Sequence, residues 1–207
     1  MTSPNGHEYR RAALSLANLS RQNHCRSTMV VSATAGEGAS TAAVYLGRHL
    51  MRDLALNTVL IEVNRIRPAL ARLFDLDPKR SLAAVASGDR AILDCVQKDP
   101  TGLPIIPIGD FQSGAGLKEL ESALCQSVQE LQNSFDFILA DAPPVLESAD
   151  SLIAGRVIPN VILVVGAGRA SQEGLRAACN QLSEARIQVL GAILNERKRI
   201  LPRWLRR

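Results

Sequence analysis

The chain has 207 residues, enough for one domain with a sizeable core, and its 46% hydrophobic and 21% charged residues exclude a disordered chain. Aromatic residues make up only 3%, which argues against stacking surfaces for single-stranded nucleic acid. Six of the 24 Lys and Arg residues follow Glu196, so residues 1–196 carry 18 basic against 20 acidic groups, a net charge of −2. A slightly acidic globule with a basic tail disfavours a general nucleic-acid surface.

Apolar periodicity predicts an alternation of helices and strands along the chain. An amphipathic helix is predicted over 8–22, with Ala12, Leu16 and Leu19 near one face. Apolar strands or extended segments are predicted over 27–33, 58–63, 103–108, 135–141, 161–165 and 189–194. Helices are predicted over 40–54, 68–74, 81–96 (interrupted at Ser87-Gly88), 117–131, 148–156 and 171–185.

This order of elements predicts the fold class. Continuous apolar strands separated by helices are typical of an α/β fold, a doubly wound, mostly parallel sheet with helices on both faces. We divide the chain into an N-terminal segment with its helix (1–26), one α/β domain (27–196) and a basic amphipathic tail (197–207). Ligands of such sheets bind at the carboxyl ends of strands, so the predicted site comprises the loops after Ala33, Val63 and Asp141.

The cysteines and the hydropathy indicate the compartment. The four cysteines lie far apart, form no C-x-x-C pair and complete no zinc pattern with the three histidines. We expect them to be reduced and mostly buried, in a cytoplasmic protein. No apolar run reaches the ~18 residues of a membrane span, and the N-terminus lacks the apolar core of a signal peptide.

A glycine-rich loop, residues 35–41 (AGEGAST), joins the first predicted strand of the domain to the next helix. Glycines let the backbone wrap around a phosphate, and a helix N-terminus adds N–H donors and a positive dipole end. The hydroxyl of Ser40 or Thr41 would reach Mg²⁺, but a P-loop has Lys where this chain has Ala39. The alternative is a plain strand–turn–helix connection built from small residues.

Two further strand ends carry carboxylates. Glu62 would hold a metal-bound water or act as a base, or else be a solvated strand-end residue. Asp141 follows a buried strand and precedes Pro143-Pro144, the position where a Walker-B Asp binds Mg²⁺. The glycine loop and Asp141, in this order, indicate P-loop ancestry.

These motifs resemble the cytoplasmic kinase domain of bacterial tyrosine kinases (BY-kinases), which belong with the deviant-Walker P-loop ATPases. The family motifs S-x-x-P-G-E-G-K-S-T, D-x-D-x-R-x-P, I-D-x-P-P and G-x-V-x-N are matched by residues 32–41 (SATAGEGAST), 62–68 (EVNRIRP), 139–144 (LADAPP) and 191–195 (GAILN). The resemblance implies a P-loop NTPase-like fold with Mg²⁺ at Ser40 and Asp141. It also implies a nucleotide held by Gly36, Glu37, Gly38, Ala39, Ser40, Thr41 and, near the adenine, Asn195.

The chain departs from the family pattern at the residues linked to catalysis. Ala39 replaces the loop Lys, and Glu62 and Asn64 replace the two aspartates of the second motif. The tail has no tyrosine cluster, and the chain's two tyrosines are Tyr9 and Tyr45. We therefore expect ATP or ADP with Mg²⁺ to bind weakly or not at all, and Glu62 and Asp141 remain only candidates for catalysis.

The resemblance implies a role in bacterial exopolysaccharide or capsule synthesis and export, beside a membrane polysaccharide co-polymerase that sets chain length. We predict a degenerate member that acts as a non-catalytic regulatory or assembly partner. The alternatives are an active ATP-dependent protein tyrosine autokinase of the same pathway and a membrane-associated relative of the positioning ATPases.

Both ends of the chain suggest further partners. Residues 8–11 (EYRR) resemble the start of the family's E-x-x-R-x-x-R oligomerisation helix, with Leu14 in place of the last Arg, which implies a homo-oligomer through this helix. Residues 197–207 place basic groups around one apolar helical face, which favours a location peripheral to the inner membrane through an anionic surface. The alternatives for the tail are an acidic, apolar groove on a partner and packing back onto the globule.

Overall fold

The computed structural model describes residues 6–23, 25–111 and 116–195, and there it confirms the predicted α/β alternation. The basic tail at 197–207 and His24 lie outside the described residues. The described helices are α1 (Gly6–Asn23), α2 (Ala39–Leu54), α3 (Leu70–Phe74), α4 (Leu82–Ala86), α5 (Leu117–Leu131), α6 (Asp150–Val157) and α7 (Gln172–Glu184), with a 3₁₀ turn at Ile92–Cys95. The described strands are β1 (Ser27–Ser32), β2 (Thr58–Glu62), β3 (Gln97–Lys98), β4 (Pro104–Ile106), β5 (Phe137–Asp141), β6 (Asn160–Gly166) and β7 (Gln188–Asn195).

The strands form one seven-stranded sheet in the order β3-β4-β2-β5-β1-β6-β7. Every neighbouring pair is parallel except β3 with β4, which confirms the predicted mostly parallel sheet. After β1 the chain adds strands toward one edge of the sheet (β2 to β4), and after β5 it adds strands toward the other edge (β6 and β7). The loop after β1 therefore lies at the topological switch point, where such folds bind ligands. In the β2–β5 register Glu62 is the partner of Asp141, which brings the two predicted carboxylates side by side.

Alternate strand residues pack into two apolar cores, one on each face of the sheet. One core receives Ile61 and Ile138 together with the buried sides of α4 to α7. The other receives Leu60 and Leu139 together with α1 and α2. Because Tyr9 and other residues of α1 belong to this second core, the N-terminal helix packs directly on the α/β domain.

The predicted apolar face of α1 is confirmed at its centre. Leu16 is buried, while Ala12 and Leu19 are half-buried at the rim of the contact. Tyr9 and two alanines complete the buried face at helical spacing. The opposite face exposes Glu8, Arg11 and half of the Leu14 side chain.

Two expectations need correction. The antiparallel edge strand β3 was not predicted, because two residues are too few to show a period-2 pattern. The cysteines are free, but only Cys95 is buried; Cys25 and Cys179 are half-buried and Cys125 is exposed on α5. The prediction that most are buried is therefore wrong, since hydropathy does not tell which side of a helix a single residue occupies.

The described ranges contain no cluster of three or more His, Cys, Asp or Glu residues arranged to hold a metal ion. None of the helices in the same ranges is long and apolar enough to cross a membrane.

Candidate functional site

The glycine-rich loop connects β1 to α2 with two left-handed glycines, Gly36 at φ +82° and Gly38 at φ +92°. These backbone angles favour glycine, and a side chain at Gly38 would also clash with the amide of Asn195. The first N–H groups of any α-helix have no partner inside the helix. Helix α2 begins at Ala39 without a side-chain cap, so no capping side chain binds these groups. The loop therefore offers backbone donors and a positive helix end to an anion.

Glu37 points its carboxylate into the protein and holds the loop closed. Its Oε1 accepts hydrogen bonds from the Thr34 N–H at 2.9 Å and the Thr34 hydroxyl at 2.7 Å. Its Oε2 accepts from the Gly166 N–H at 2.9 Å, at the end of β6. The predicted nucleotide-binding role of Glu37 can thus involve only its backbone, because the buried side chain ties the loop to the sheet.

The charge that a P-loop Lys supplies is missing from the start of α2. Ala39 is buried in the core, Ser40 is half-buried and Thr41 is exposed. A cation does approach the loop from another element: Arg169, which follows β6, donates from Nη1 to the Gly36 carbonyl at 3.2 Å. A guanidinium is bulkier and forked, so it replaces a Lys ammonium only in part.

Asp141 ends β5 with a fully buried carboxylate whose two oxygens have no hydrogen-bond partner among the described residues. Burial raises the pKa of Asp141 from 3.8 to about 7; the nearby Ser40 hydroxyl opposes this rise and the Glu62 carboxylate adds to it. Mg²⁺ prefers oxygen ligands such as carboxylates and hydroxyls. The unpartnered Asp141 oxygens beside Ser40 therefore fit this cation.

Glu62 lies beside Asp141 but has a different environment. Its Oε1 accepts from the backbone N–H groups of Ala69 at 2.6 Å and Leu70 at 2.9 Å, at the start of α3. Its Oε2 accepts from the Ile108 N–H at 3.2 Å. This fully buried carboxylate joins α3 and the segment after β4 to the end of β2, which favours a structural role over the predicted catalytic one.

Two further residues of the second motif, Asn64 and Arg65, are also engaged within the chain. The Asn64 side chain accepts from the Arg67 N–H at 3.0 Å, which closes a local turn. Arg65 donates to both Asp150 oxygens, at 2.9 and 2.6 Å, and lies over the Phe111 ring. This ion pair ties Arg65 to the first residue of α6.

Asn195, which was predicted to lie near the adenine of a nucleotide, is at the end of β7 and lies against the glycine-rich loop. Its Nδ2 donates to the Glu37 carbonyl at 2.9 Å, and its Oδ1 accepts from the Tyr9 hydroxyl at 2.9 Å. Tyr9 was not predicted to be a neighbour of the loop. Its spacing from Leu16 on the predicted helix places it on the buried face, but nothing local indicates its partner.

The chain was compared with known proteins. No family model matches it. It is 29% identical over 211 residues to the tyrosine-protein kinase YwqD of Bacillus subtilis (strain 168), covering 96% of this chain and 85% of that one. It is 24% identical over 169 residues to the tyrosine-protein kinase CpsD of Streptococcus agalactiae serotype III, covering 81% of this chain and 72% of that one.

Solved structures share the fold. The VpsO kinase domain superposes with a TM-score of 0.79 at 25% identity, covering 92% of this chain and 95% of that domain. The chimerical protein CapA2B2 gives a TM-score of 0.81 at 19% identity, covering 93% of this chain and 84% of that one. A cobyrinic acid a,c-diamide synthase from Mycobacterium smegmatis with bound ADP and magnesium gives 0.70 at 20% identity, covering 82% and 74%.

The sequence matches and the superpositions agree with the geometry of the site. The loop after β1, the carboxylate that ends β5 and the order of the strands are those of a P-loop ATPase fold. The relatives that match most of the chain are tyrosine-protein kinases. The chain is thus similar in sequence to bacterial tyrosine-protein kinases, and it has a P-loop ATPase-like fold.

Proposed function

We propose that this protein is a degenerate BY-kinase domain that acts without catalysis, as a regulatory or assembly partner in bacterial exopolysaccharide or capsule biosynthesis and export. The observation that carries this proposal is the set of hydrogen bonds that the Glu62 carboxylate accepts. Its carboxylate stands where the family resemblance implies a catalytic aspartate, yet three backbone N–H groups occupy it. A carboxylate held in this way stabilises the fold.

Ala39 supports the same conclusion by its energetic effect. The loss of a charge-assisted hydrogen bond costs about 1.5–3 kcal/mol, which lowers nucleotide affinity by roughly one to two decades. The loss of charge stabilisation in a transition state costs about 3–4 kcal/mol more. Nucleotide binding would therefore be weak, and turnover would be slower by roughly two to three further decades.

The residual pocket keeps the groups for a nucleotide and its metal. We propose that the backbone N–H groups of residues 36–41 contact phosphate, with Asn195 beside them, and that Ser40 and Asp141 hold Mg²⁺. When bound, Mg²⁺ would neutralise phosphate charge. The ADP and magnesium in the similar cobyrinic acid a,c-diamide synthase structure support this proposal.

The two tyrosines are poor acceptors for phosphate in the folded chain. Tyr9 is 1% exposed, and Tyr45 is half-buried, with its ring stacked on that of Tyr9. The Tyr9 hydroxyl cannot enter another active site while α1 stays packed on α2, and stacking on Tyr9 restrains the Tyr45 ring. This burial favours the non-catalytic proposal over the active autokinase.

We expect the purified full-length chain to show neither ATP hydrolysis nor tyrosine autophosphorylation. The measurement is release and incorporation of radiolabelled phosphate in the presence of Mg²⁺, with Asp141→Ala as the control for contaminating kinases. Label on Tyr9 or Tyr45 that disappears in Asp141→Ala would contradict the proposal and establish the active autokinase.

Restoring the loop lysine tests whether the pocket still binds nucleotide. Ala39→Lys is expected to tighten ADP binding about 10- to 100-fold, the effect of one charged hydrogen bond. Calorimetry checks this, with Gln172→Lys as a matched control that adds the same charge to the exposed start of α7. Equal affinities in a folded Ala39→Lys variant and the control would show that the loop does not bind phosphate.

We propose a membrane polysaccharide co-polymerase as the partner of this domain. The family resemblance implies such a partner, and the similar structure of a chimerical protein named CapA2B2 is compatible with a paired assembly. The outward face of α1, with Glu8, Arg11 and Leu14, is the proposed surface for a homo-oligomer. The tail at 197–207 is proposed to contact an anionic membrane surface and lies outside the described residues.

A further inference from the structure

A chain of buried hydrogen bonds links the N-terminal helix to the glycine loop. The Tyr9 hydroxyl on α1 donates to Asn195 Oδ1, and Asn195 Nδ2 donates to the Glu37 carbonyl, both at 2.9 Å. Tyr9, Asn195 and Glu37 are 1%, 8% and 0% exposed. We call these three residues the Tyr9 relay.

Both ends of the Tyr9 relay are held in place. The Tyr9 ring stacks on Tyr45 of α2, with ring centres 5.2 Å apart and planes 6° from parallel. At the other end, the Glu37 side chain accepts from the N–H groups of Thr34 and Gly166. Between the two ends, the backbone carbonyl of Asn195 accepts from the Ala167 N–H at 2.8 Å, which fixes the end of β7 beside the loop after β6. A change in the position of α1 must therefore change the hydrogen bond to the loop.

The Tyr9 relay contacts the loop at the peptide group between Glu37 and Gly38, whose N–H is one of the donors proposed to bind phosphate. The Glu37 carbonyl and the Gly38 N–H belong to one planar trans peptide, so they point in opposite directions. An amide that holds the carbonyl also fixes the direction of the N–H. Gly38 lies so close to Asn195 that it has no room for a side chain, which shows how tightly the two are packed.

We infer that Tyr9 is a positioning residue of the phosphate-binding loop: the docking of α1 fixes, through Asn195, the direction of a backbone donor in that loop. This inference rests on the proposed function only where it concerns ligand affinity. The resemblance assigns α1 to contacts between copies of the chain, so the relay gives any partner bound to α1 a physical connection to the loop.

Tyr9→Phe removes the hydroxyl and keeps the stacked ring. Hydrogen exchange of the amides in residues 34–41 of the full-length protein is expected to accelerate about three- to tenfold, as for the loss of one buried hydrogen bond. Tyr45→Phe is the matched control, because it removes the same atom from the other ring of the stack and no bond of the relay. Equal loop exchange in the two variants would overturn the inference.

A double-mutant cycle separates positioning from simple packing. In an Asn195→Ala background, Tyr9→Phe is expected to have no further effect on loop exchange, since the connection is already cut. An effect of undiminished size would show that Tyr9 acts through packing, and would overturn the relay.

Ligand binding provides a separate readout. Tyr9→Phe is expected to weaken binding of ADP with Mg²⁺ by about three- to tenfold, while Tyr45→Phe leaves it unchanged. If the unmodified protein binds no ADP, the proposed nucleotide pocket fails, and the exchange measurements still decide whether Tyr9 positions the loop. If ADP binds equally to both variants although loop exchange differs, the link to the donor is refuted.

Discussion

Asp141→Asn is expected to raise the free energy of unfolding at pH 8 by up to about 4 kcal/mol. Burial raises the pKa of Asp141 from 3.8 to about 7, and one pKa unit corresponds to 1.36 kcal/mol. Asparagine has the same shape without the charge, so it avoids the cost of a buried carboxylate that lacks a hydrogen-bond partner.

The pH dependence of this effect has a definite sign. Below pH 4 the carboxyl is protonated in both the folded and the unfolded chain, so Asp141 costs nothing. Between pH 4 and 7 the folded chain keeps a proton that the unfolded chain releases, and the stability due to this group falls as the pH rises. Above pH 7 both states are ionised and the full cost is present.

Urea unfolding of Asp141→Asn and the unmodified protein at pH 5 and pH 8 checks this prediction. Asp110→Asn, at an exposed carboxylate, is the control and should shift stability little at either pH. Mg²⁺ should stabilise the unmodified protein more than Asp141→Asn, because only the carboxylate attracts the cation. A stability difference that is equal at the two pH values would contradict the burial of a titrating Asp141.

Glu62→Gln is expected to have the opposite effect to Asp141→Asn: it should lower the free energy of unfolding by about 2–4 kcal/mol. The carboxylate accepts three backbone hydrogen bonds with two oxygens, whereas the amide of glutamine has one oxygen and turns an NH₂ group toward backbone donors. Glu62→Asp, which restores the residue type of the family motif, should cost a similar amount because its shorter side chain cannot reach both segments.

Urea unfolding at pH 7 measures this loss, with Glu147→Gln as the matched control. Glu147 also accepts a backbone N–H, from Ala35 at 2.6 Å, but its side chain is exposed, so its replacement should cost less than about 1 kcal/mol. A Glu62→Gln variant as stable as the unmodified protein would mean that this carboxylate is not required by the fold, and the catalytic interpretation would regain support.

The α/β class, the parallel sheet and the glycine loop could all be predicted from the amino-acid sequence alone. Short-range patterns in the sequence predict these features: apolar runs of strand length, helical periodicity and glycines between a strand and a helix. Asp141 belongs with them, because its place after a buried strand already indicated a site at the sheet edge. The exception is β3, whose two residues carry no periodic signal.

The role of each polar residue in the site depends on contacts that form only when the chain folds. Glu62 and Asp141 look alike in sequence, both carboxylates that end buried strands, yet one accepts three N–H groups and the other accepts none among the described residues. Tyr9 and Asn195 are 186 positions apart in the chain and share a hydrogen bond. A carboxylate, amide or hydroxyl takes its role from the partners that folding brings within about 3 Å, and that distance is set by the packing of whole helices and strands.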